Sequence, residues 1–340
     1  MNKKGMNMMK KIFSVLAVIA LLAACLLPAA VSAESLRPIV FCLDWTPNTN
    51  HTGVYVAQSL GYYREAGLDV QIVQPPENGA LLMCAAGQAQ FAVDAQDTMA
   101  ASLDLDHPLG VTSVAAILQH NTSGILARAG EGITSAKGLE NKVYATWDSP
   151  IELAILRYCM EKEGADFDTV RLIPNNITDE PAALAAHQTD AVWVFYGWSG
   201  VNAELSGVDC DYWDFASIAG ELDYYTPVIL ANDAFLKDDP ETAKAFLAAT
   251  AKGYQYAVEH PREAADMLIA GDTTGSLTDA KELVYASQEW ISTQYIADAP
   301  AWGYMDPQRW NGFYAWLHEH QLSSHDLSGM GFSNDYLPGE

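Results

Sequence analysis

Short apolar segments alternate with helix-like segments along most of this chain, and that alternation limits its possible folds more than any other feature. In the first part of the chain we predict strands over residues 38–43, 69–73, 91–93 and 111–118, and helices over residues 52–65, 80–86 and 97–103. Alternation of strand and helix is typical of parallel β-α-β units, because a helix covers the sheet between two parallel strands. The sequence therefore predicts an α/β fold.

The same alternation begins again near residue 139, which predicts a second α/β lobe. Its predicted strands cover residues 142–145, 169–173 and 191–194, and its helices cover residues 151–163 and 181–187. One later strand, at residues 227–231, is followed only by helices, over residues 239–259, 261–269, 278–290 and 307–320. A single late strand indicates that the chain returns to the first lobe and completes it. We predict lobe 1 over residues 36–124 and 222–340, lobe 2 over residues 125–221, and two hinge crossings near residues 124 and 221.

The amino-terminal 33 residues have the layout of a secretory signal. Four lysines among the first eleven residues precede the apolar run 12–27. Residues 31–33 fit ordinary signal cleavage before Glu34, whereas residues 22–25 fit a bacterial lipobox, in which Cys25 becomes a lipid anchor. No later run reaches the roughly 18 uninterrupted apolar residues that a membrane-spanning helix needs. We therefore expect an exported protein that is either periplasmic or held at the cell surface by a lipid anchor.

Carboxylates dominate the charge of the chain. Loss of residues 1–33 removes four lysines and no carboxylate, so the formal net charge goes from −25 to −29. Such a surface repels phosphate backbones and anionic lipid headgroups. We therefore expect no nucleic-acid partner, and membrane association only through the possible lipid anchor.

The four cysteines beyond the signal are widely spaced, at Cys42, Cys84, Cys159 and Cys210. They form no Cys-x-x-Cys pair and no Cys/His cluster, so no metal site is predicted. Disulfides are compatible with an extracytoplasmic setting, and small buried or free thiols are the alternative. The sequence also contains no Gly-x-Ser-x-Gly turn, no Gly-rich phosphate loop and no His-Glu-x-x-His motif, so we predict no catalytic residue and no cofactor.

Polar and aromatic residues follow the predicted strands at the points where each strand ends. Two hinged α/β lobes bind their ligand in the crevice at the carboxyl ends of the strands. The predicted ligand-binding residues therefore come from these positions and from the return crossing. They are Asp44, Trp45, Asn48, His51, Gln96, Asp97, Asn121, Trp147, Ser149, Tyr196, Trp198, Tyr224 and Tyr225.

These residue types suit a planar heterocycle. Aromatic faces stack on the ring, and paired donors and acceptors replace the hydrogen bonds that its edge loses from water. A carboxylate facing a ring nitrogen beside an amino group can form two parallel hydrogen bonds, as an aminopyrimidine requires. Structural roles remain the alternative: the tryptophans as packing residues, Asp44 and His51 as caps of the turn and helix, and Tyr224 and Tyr225 as hinge packing.

Three segments of the predicted first lobe form a specific pattern: LDWTPNTNHTG at residues 43–53, GYY at residues 61–63 and GLDV at residues 67–70. The order continues with WDSPIE at residues 147–152, DAV at residues 190–192 and DYYTP at residues 223–227. Together they resemble the thiamin pyrimidine precursor-binding proteins of ABC importers. The wider superfamily includes alkanesulfonate- and riboflavin-binding receptors and the eukaryotic thiamin pyrimidine synthase.

The resemblance implies the two-lobed periplasmic-binding-protein fold of type II. It also implies capture of a formylated or otherwise modified aminomethyl-pyrimidine by lobe closure, and delivery to an ABC permease and its ATPase. The matching positions are Trp45, Asn48, His51, Trp147, Ser149, Tyr224 and Tyr225.

Other functions remain open at this point. The synthase carries a cysteine-rich iron motif, whereas residues 220–227 contain no cysteine, and its pyridoxal phosphate would need a lysine that residues 44–53 lack. Both departures favour a non-enzymatic receptor. Residues 194–198 fit the pattern less well and leave riboflavin, another cofactor fragment or a sulfonate as alternative ligands. A sensory receptor domain is the third alternative.

Overall fold

Two five-stranded sheets form the frame of the computed structural model, which describes residues 36–339. The predicted signal sequence at residues 1–33 lies outside the described residues, as do the alternative processing sites at Cys25 and Glu34. In chain order the strands are β1 (Arg37–Cys42), β2 (Leu68–Val73), β3 (Phe91–Asp94), β4 (Val111–Ala116), β5 (Ser123–Arg128), β6 (Val143–Thr146), β7 (Arg171–Pro174), β8 (Ala191–Phe195), β9 (Cys210–Asp214) and β10 (Val228–Asn232).

Helices lie between and after these strands, as the alternation predicts. In chain order they are α1 (Thr52–Ser59), α2 (Tyr62–Glu65), α3 (Ala80–Ala85), α4 (Gln96–Leu103), α5 (Pro150–Lys162), α6 (Glu180–Ala185), α7 (Val201–Ser206), α8 (Phe215–Ile218), α9 (Asp233–Asp238), α10 (Pro240–Glu259), α11 (Pro261–Gly271), α12 (Lys281–Ile291) and α13 (Pro307–Glu319). In the described part of the chain, no helix is both long and apolar enough to cross a membrane.

The first sheet has the strand order β2-β1-β3-β10-β4. Strand β1 pairs in parallel with β2 and β3, for example Phe41 opposite Phe91. The late strand β10 inserts between β3 and β4 and is antiparallel to both. The chain therefore returns to the first sheet and adds an antiparallel strand between two strands of its first part.

The second sheet has the order β7-β6-β8-β5-β9. Strand β6 is parallel to β7 and β8, whereas β5 is antiparallel to β8 and β9. Neither β5 nor β9 was expected from the sequence. Strand β5 follows β4 after a single polar turn and β9 alternates acidic with aromatic residues, so neither shows the isolated apolar run that marks the other strands.

Alternate residues of β1 serve two different cores, because successive side chains of a strand point to opposite faces. Phe41 packs against Phe246 of α10, with ring centroids 5.7 Å apart, and Phe91 of β3 stacks on the same ring at 4.0 Å. Cys42, on the other face, belongs to the cluster that includes Met99 of α4. Burial on both faces explains why these strands read as continuous apolar runs.

The two sheets are joined by two segments. The chain leaves the first sheet after Ala116 and enters the second at Ser123, and it returns between α8 and β10. The first crossing was predicted near residue 124, but Gly124 already lies in β5. A Cβ atom there would collide with the carbonyl oxygen of Trp213 on β9, so this residue belongs to a closely paired strand. The Thr226–Pro227 peptide bond, on the return segment, is cis.

The four cysteines of the described region are free thiols. Cys42, Cys84 and Cys159 are buried, and Cys210 is half-buried. Burial is the main cause that raises the pKa of the Cys42 thiol, to about 11, and nearby Asp44 adds to it.

Candidate ligand-binding site

The predicted site residues lie at one edge of each sheet. In the first sheet Asp44 follows β1 and Asp94 ends β3. Tyr224 precedes β10, and because β10 is antiparallel its beginning lies at the same edge. In the second sheet Trp147 follows β6 and Tyr196 follows β8. Each sheet therefore gathers its own part of the predicted set at its carboxyl edge, and the two crossings join these parts.

The turn after β1 is built around the ring of His51. Its Nδ1 accepts a hydrogen bond from the Asn48 backbone N–H (3.2 Å), so the ring hydrogen that faces Asp44 lies on Nε2. That nitrogen donates to Asp44 Oδ1 at 2.7 Å. His51 is completely buried, whereas the Asp44 side chain is about one-third exposed. The histidine therefore orients the carboxylate, and of the two side chains only Asp44 is accessible from solvent.

Asn48 and Trp45 have different roles in the same turn. The Asn48 side chain accepts from the Asn50 N–H (2.9 Å) and donates to the Thr46 carbonyl (3.1 Å), so it stabilises the turn. Trp45 is 69% exposed. The turn therefore leaves the Trp45 ring accessible from solvent.

Three carboxylates lie along the edge of the first sheet. Asp94 and Asp97 are half-buried, and burial is the main cause that raises the pKa of each to about 6. The negative charges of Asp97 and Asp44 raise the pKa of Asp94 further, while hydrogen bonds from Thr98 and the Ala95 N–H oppose the rise. The edge is therefore acidic, and the raised pKa values of Asp94 and Asp97 lie just below neutral pH.

No three histidine, cysteine, aspartate or glutamate side chains are grouped to hold a metal ion within residues 36–339.

Gln96 and Tyr225 hold the return crossing against lobe 1. The buried Gln96 side chain accepts from the Tyr225 backbone N–H (2.9 Å) and donates to the Trp310 carbonyl (2.8 Å). The Tyr225 hydroxyl accepts from the backbone N–H of Asp306 (2.8 Å), and Tyr225 is only 1% exposed. Both predicted residues thus support the crossing rather than face the crevice.

Asn121 and Tyr224 tie the crossings to each other and to α13. The buried Asn121 amide donates to the Leu222 carbonyl (2.9 Å), and its oxygen accepts from the Ser123 N–H (2.9 Å). Tyr224 is buried and stacks on Phe313, with ring centroids 4.1 Å apart. The hinge-packing alternative for Tyr224 and Tyr225 thus agrees with their observed contacts.

A buried carboxylate organises the turn that carries Trp147 and Ser149 in the second sheet. Glu152 accepts hydrogen bonds from the Tyr144 hydroxyl (2.6 Å), the Thr146 hydroxyl (2.9 Å) and the Trp147 N–H (3.1 Å). The Ser149 N–H is 3.4 Å from the same carboxylate. Trp147 itself is 53% exposed. The turn therefore presents a second tryptophan from a rigid support.

Tyr196 and Trp198 lie on a π-helical turn, Tyr196–Gly200, that follows β8. Both are half-buried. The Tyr196 ring lies between Tyr212 and Trp290, with centroid distances of 4.9 and 5.0 Å. Trp198 packs against the core of lobe 1, so this turn contacts the opposite lobe. Irregular helical turns of this kind occur often at functional sites.

Several residues of this region were missing from the predicted set. Asp94 ends β3 beside Asp97, and its position at a strand end makes it a candidate from the sequence, although the predicted set leaves it out. Phe195 ends β8 and is 38% exposed, which its place in an apolar run concealed. The role of Glu152 depends on burial, which the sequence does not show.

Two cavities in the described region lie elsewhere. One, of about 350 Å³, is lined by residues of α1, α2 and β2, including Gln58 and Arg64. The other, of about 400 Å³, is lined by Gly220, Glu221 and residues of α13 such as Arg309. Neither Trp45 nor Trp147 is among the lining residues of these cavities. We place the candidate site at the sheet edges because the predicted carboxylates and exposed tryptophans follow the strands there.

Comparison with known proteins adds three findings. The chain is 28% identical to the formylaminopyrimidine-binding protein of Halalkalibacterium halodurans, over 91% of this chain and 93% of that protein. It is also 28% identical to a 4-amino-5-hydroxymethyl-2-methylpyrimidine phosphate synthase of Saccharomyces cerevisiae, over 66% of this chain and 68% of that protein. The periplasmic aliphatic sulphonate-binding protein SsuA of Escherichia coli superposes with a TM-score of 0.64 at 13% identity, covering 86% of this chain and 90% of that chain.

The likeness to SsuA confirms the predicted two-lobed periplasmic-binding-protein fold. The family model described as NMT1/THI5 like matches residues 48–264, which include the first-lobe turn from Asn48 onward, the whole second lobe and the return to the first sheet. The chain belongs to the NMT1/THI5-like family.

Proposed function

We propose that this protein is the extracytoplasmic receptor of an ABC importer and that it captures a thiamin pyrimidine precursor of the formylaminopyrimidine type. One observation carries the proposal. An exposed tryptophan lies at the edge of each sheet, and carboxylates lie at the edge of the first sheet. Family membership and the 28% identity with the formylaminopyrimidine-binding protein over nearly the whole chain support it.

The chemistry of the site suits an aminopyrimidine. Trp45 and Trp147 offer ring faces for stacking, and Asp44, Asp94 and Asp97 offer oxygens that accept hydrogen bonds from amino and formamide N–H groups. A carboxylate beside a protonated ring nitrogen would form two parallel bonds with the ring and its amino group. Binding to both lobes at once stabilises the closed form, which is the form presented to the permease.

We propose that the protein releases its ligand unchanged. The relatives include pyrimidine phosphate synthases, so the distinction depends on particular residues. Residues 44–53 contain no lysine to hold pyridoxal phosphate, and residues 220–227 contain no cysteine for an iron motif. These departures support a receptor rather than an enzyme.

A sulfonate is a weaker candidate ligand. The fold is shared with a sulphonate-binding protein, but three carboxylates at the edge of the first sheet would repel an anionic group. The repulsion should grow as the pH rises through about 6, the raised pKa of Asp94 and of Asp97.

Calorimetric titration of the protein lacking residues 1–33 would test the proposal, with formylaminopyrimidine, hydroxymethylpyrimidine, riboflavin and an alkanesulfonate as separate ligands. We expect binding of the pyrimidines and none of the sulfonate. Binding of the sulfonate or riboflavin alone would refute the pyrimidine assignment. Mass spectrometry of the exported protein would distinguish an amino terminus at Glu34 from a lipid-modified Cys25.

A further inference from the structure

Helix α12 of lobe 1 touches lobe 2 at a point outside the two crossings, and a single buried serine lies at the contact. We propose that Ser287 is a positioning residue that sets the distance between the two parts of the ligand site. The interlobe contact follows from geometry alone, and its effect on ligand affinity rests on the proposed function.

Ser287 connects two lobes through hydrogen bonds whose direction is determined. Its Oγ lies 2.6 Å from the Thr49 hydroxyl and also hydrogen-bonds to the Gly197 carbonyl. A carbonyl oxygen only accepts, so the single Ser287 hydrogen goes to Gly197. The Thr49 hydroxyl must then donate to Ser287. The result is a directed chain from Thr49 through Ser287 to Gly197, and all three residues are buried.

Both ends of this hydrogen-bonded series lie next to residues of the candidate site. Thr49 directly follows Asn48 in the turn that presents Asp44 and Trp45. Gly197 lies between Tyr196 and Trp198 in the π-helical turn of lobe 2. A change in the Ser287 contact therefore changes the separation of two segments that we predict to face the same ligand.

Packing around Gly197 makes the contact close as well as polar. A Cβ atom at this position would lie 2.9 Å from the Trp290 ring and 3.3 Å from the Ile291 side chain. The Tyr196 ring also packs on Trp290, with centroids 5.0 Å apart. The backbone of the π-helical turn thus lies directly on α12, at a distance that glycine permits and a side chain would increase.

Helix α12 is itself anchored to the turn after β1. The Thr52 hydroxyl donates to Gln288 (2.5 Å), whose amide donates to the Tyr295 hydroxyl (3.2 Å). The Tyr295 hydroxyl donates to the Thr49 carbonyl (2.5 Å). These bonds stay within lobe 1 and hold the helix against the first-lobe turn. Loss of the Ser287 hydroxyl would therefore weaken the interlobe contact while the helix keeps its place.

The contact favours the closed arrangement before ligand arrives. Without the Ser287 hydroxyl, the Gly197 carbonyl would be buried without that donor, which is unfavourable until the lobes separate and water reaches it. A ligand that needs both lobes would then have to supply the missing stabilisation itself, and its apparent affinity would fall.

The test compares Ser287→Ala with Ser292→Ala. Ser292 is also buried and lies at the end of α12. Its hydroxyl hydrogen-bonds to the backbone carbonyls of Ala257 and Gln288, both in lobe 1. Spin labels at Glu65→Cys in α2 and Glu161→Cys in α5, both exposed, report the interlobe distance in a Cys210→Ser background. We expect a longer and broader distance distribution for Ser287→Ala without ligand, and an unchanged one for Ser292→Ala.

Affinity is measured with formylaminopyrimidine. We expect Ser287→Ala to bind about tenfold more weakly, which corresponds to the net loss of one buried hydrogen bond. Ser292→Ala should bind with unchanged affinity, even if the two variants unfold at similar temperatures. Gly197→Ala should likewise increase the interlobe distance. An unchanged distance in Ser287→Ala and Gly197→Ala would overturn the proposal. If the unaltered protein does not bind formylaminopyrimidine, the proposed function is wrong. The spin-label distances would still show whether Ser287 sets the separation of the two lobes.

Discussion

Replacement of Glu152 by alanine should release the turn that presents Trp147. Glu152 is 4% exposed and lies in the first turn of α5, where its carboxylate accepts from the hydroxyls of Tyr144 and Thr146 and from the Trp147 N–H. These bonds connect the end of β6 to the helix that follows. Their loss affects the stability of lobe 2 and the position of Trp147 together.

The size of the effect follows from which donors can regain water. Tyr144 is fully buried and Thr146 is 6% exposed, so both hydroxyls would lose their acceptor without replacement. Each unsatisfied buried group costs about 1–3 kcal/mol, whereas the Trp147 N–H, on an exposed residue, can bond water. We therefore expect Glu152→Ala to lower the free energy of unfolding by about 2–5 kcal/mol, a large part of the 5–15 kcal/mol typical of a folded domain. Glu152→Gln keeps the volume and one acceptor oxygen and should cost less.

Urea denaturation followed by tryptophan fluorescence measures the stability, and calorimetry with formylaminopyrimidine measures binding. Glu161→Ala is the matched control, because Glu161 is exposed on the same helix and should change the stability by less than about 0.5 kcal/mol. If Glu152→Ala lowers the free energy of unfolding by less than about 1 kcal/mol, the buried hydrogen bonds of Glu152 do not stabilise lobe 2 as we expect. Reduced stability with unchanged affinity would instead show that the Trp147 turn does not contribute to the site.

Three further predictions concern exposed rings and titrating groups. Trp45→Ala and Trp147→Ala should each weaken formylaminopyrimidine binding by about 1–3 kcal/mol in calorimetry while changing the unfolding free energy little, and unchanged affinity in both would contradict stacking. A hydrogen bond to Asp223 is the main cause that raises the pKa of His120. Protonated His120 should therefore add fully to the free energy of unfolding below about pH 6.5, and this contribution should disappear as the pH rises through the raised pKa. Urea denaturation across pH 5–9 should show this loss, and His120→Gln should remove it. Because burial raises the pKa of Asp97 to about 6, affinity should fall as the pH drops below that value, and Asp97→Asn should make it less pH-dependent in titrations at pH 5 and 8.

The strands of both sheets that carry apolar runs were predictable, and their positions agree within a few residues. For example, the strand predicted over residues 38–43 is β1, Arg37–Cys42. The central strands, such as β3 and β10, are buried on both faces, so hydrophobicity alone marks them. Strands β5 and β9 were not predictable in this way, because β5 continues after a single turn and β9 contains Asp211 and Asp214.

The thirteen site residues remain a prediction, and the structure divides them by exposure. Two of them, Trp45 and Trp147, are exposed, and six are half-buried, so these eight side chains keep some access to solvent: Asp44, Asn48, Asp97, Ser149, Tyr196 and Trp198 are the half-buried ones. Others, such as His51, are buried and hydrogen-bonded to the turns and crossings. Position at a strand end follows from the sequence pattern, but accessibility depends on neighbours that come from distant parts of the chain.

The sequence by itself determined the α/β class and the family, because hydrophobic periodicity and a specific motif are local properties of the chain. Only the tertiary structure decided the antiparallel strands, the burial of His51 and Gln96, and the contact of Ser287 with Gly197. That last pair is separated by 90 residues in sequence and meets through one hydroxyl. No local pattern marks such a contact, since it exists only when α12 and the π-helical turn have packed together.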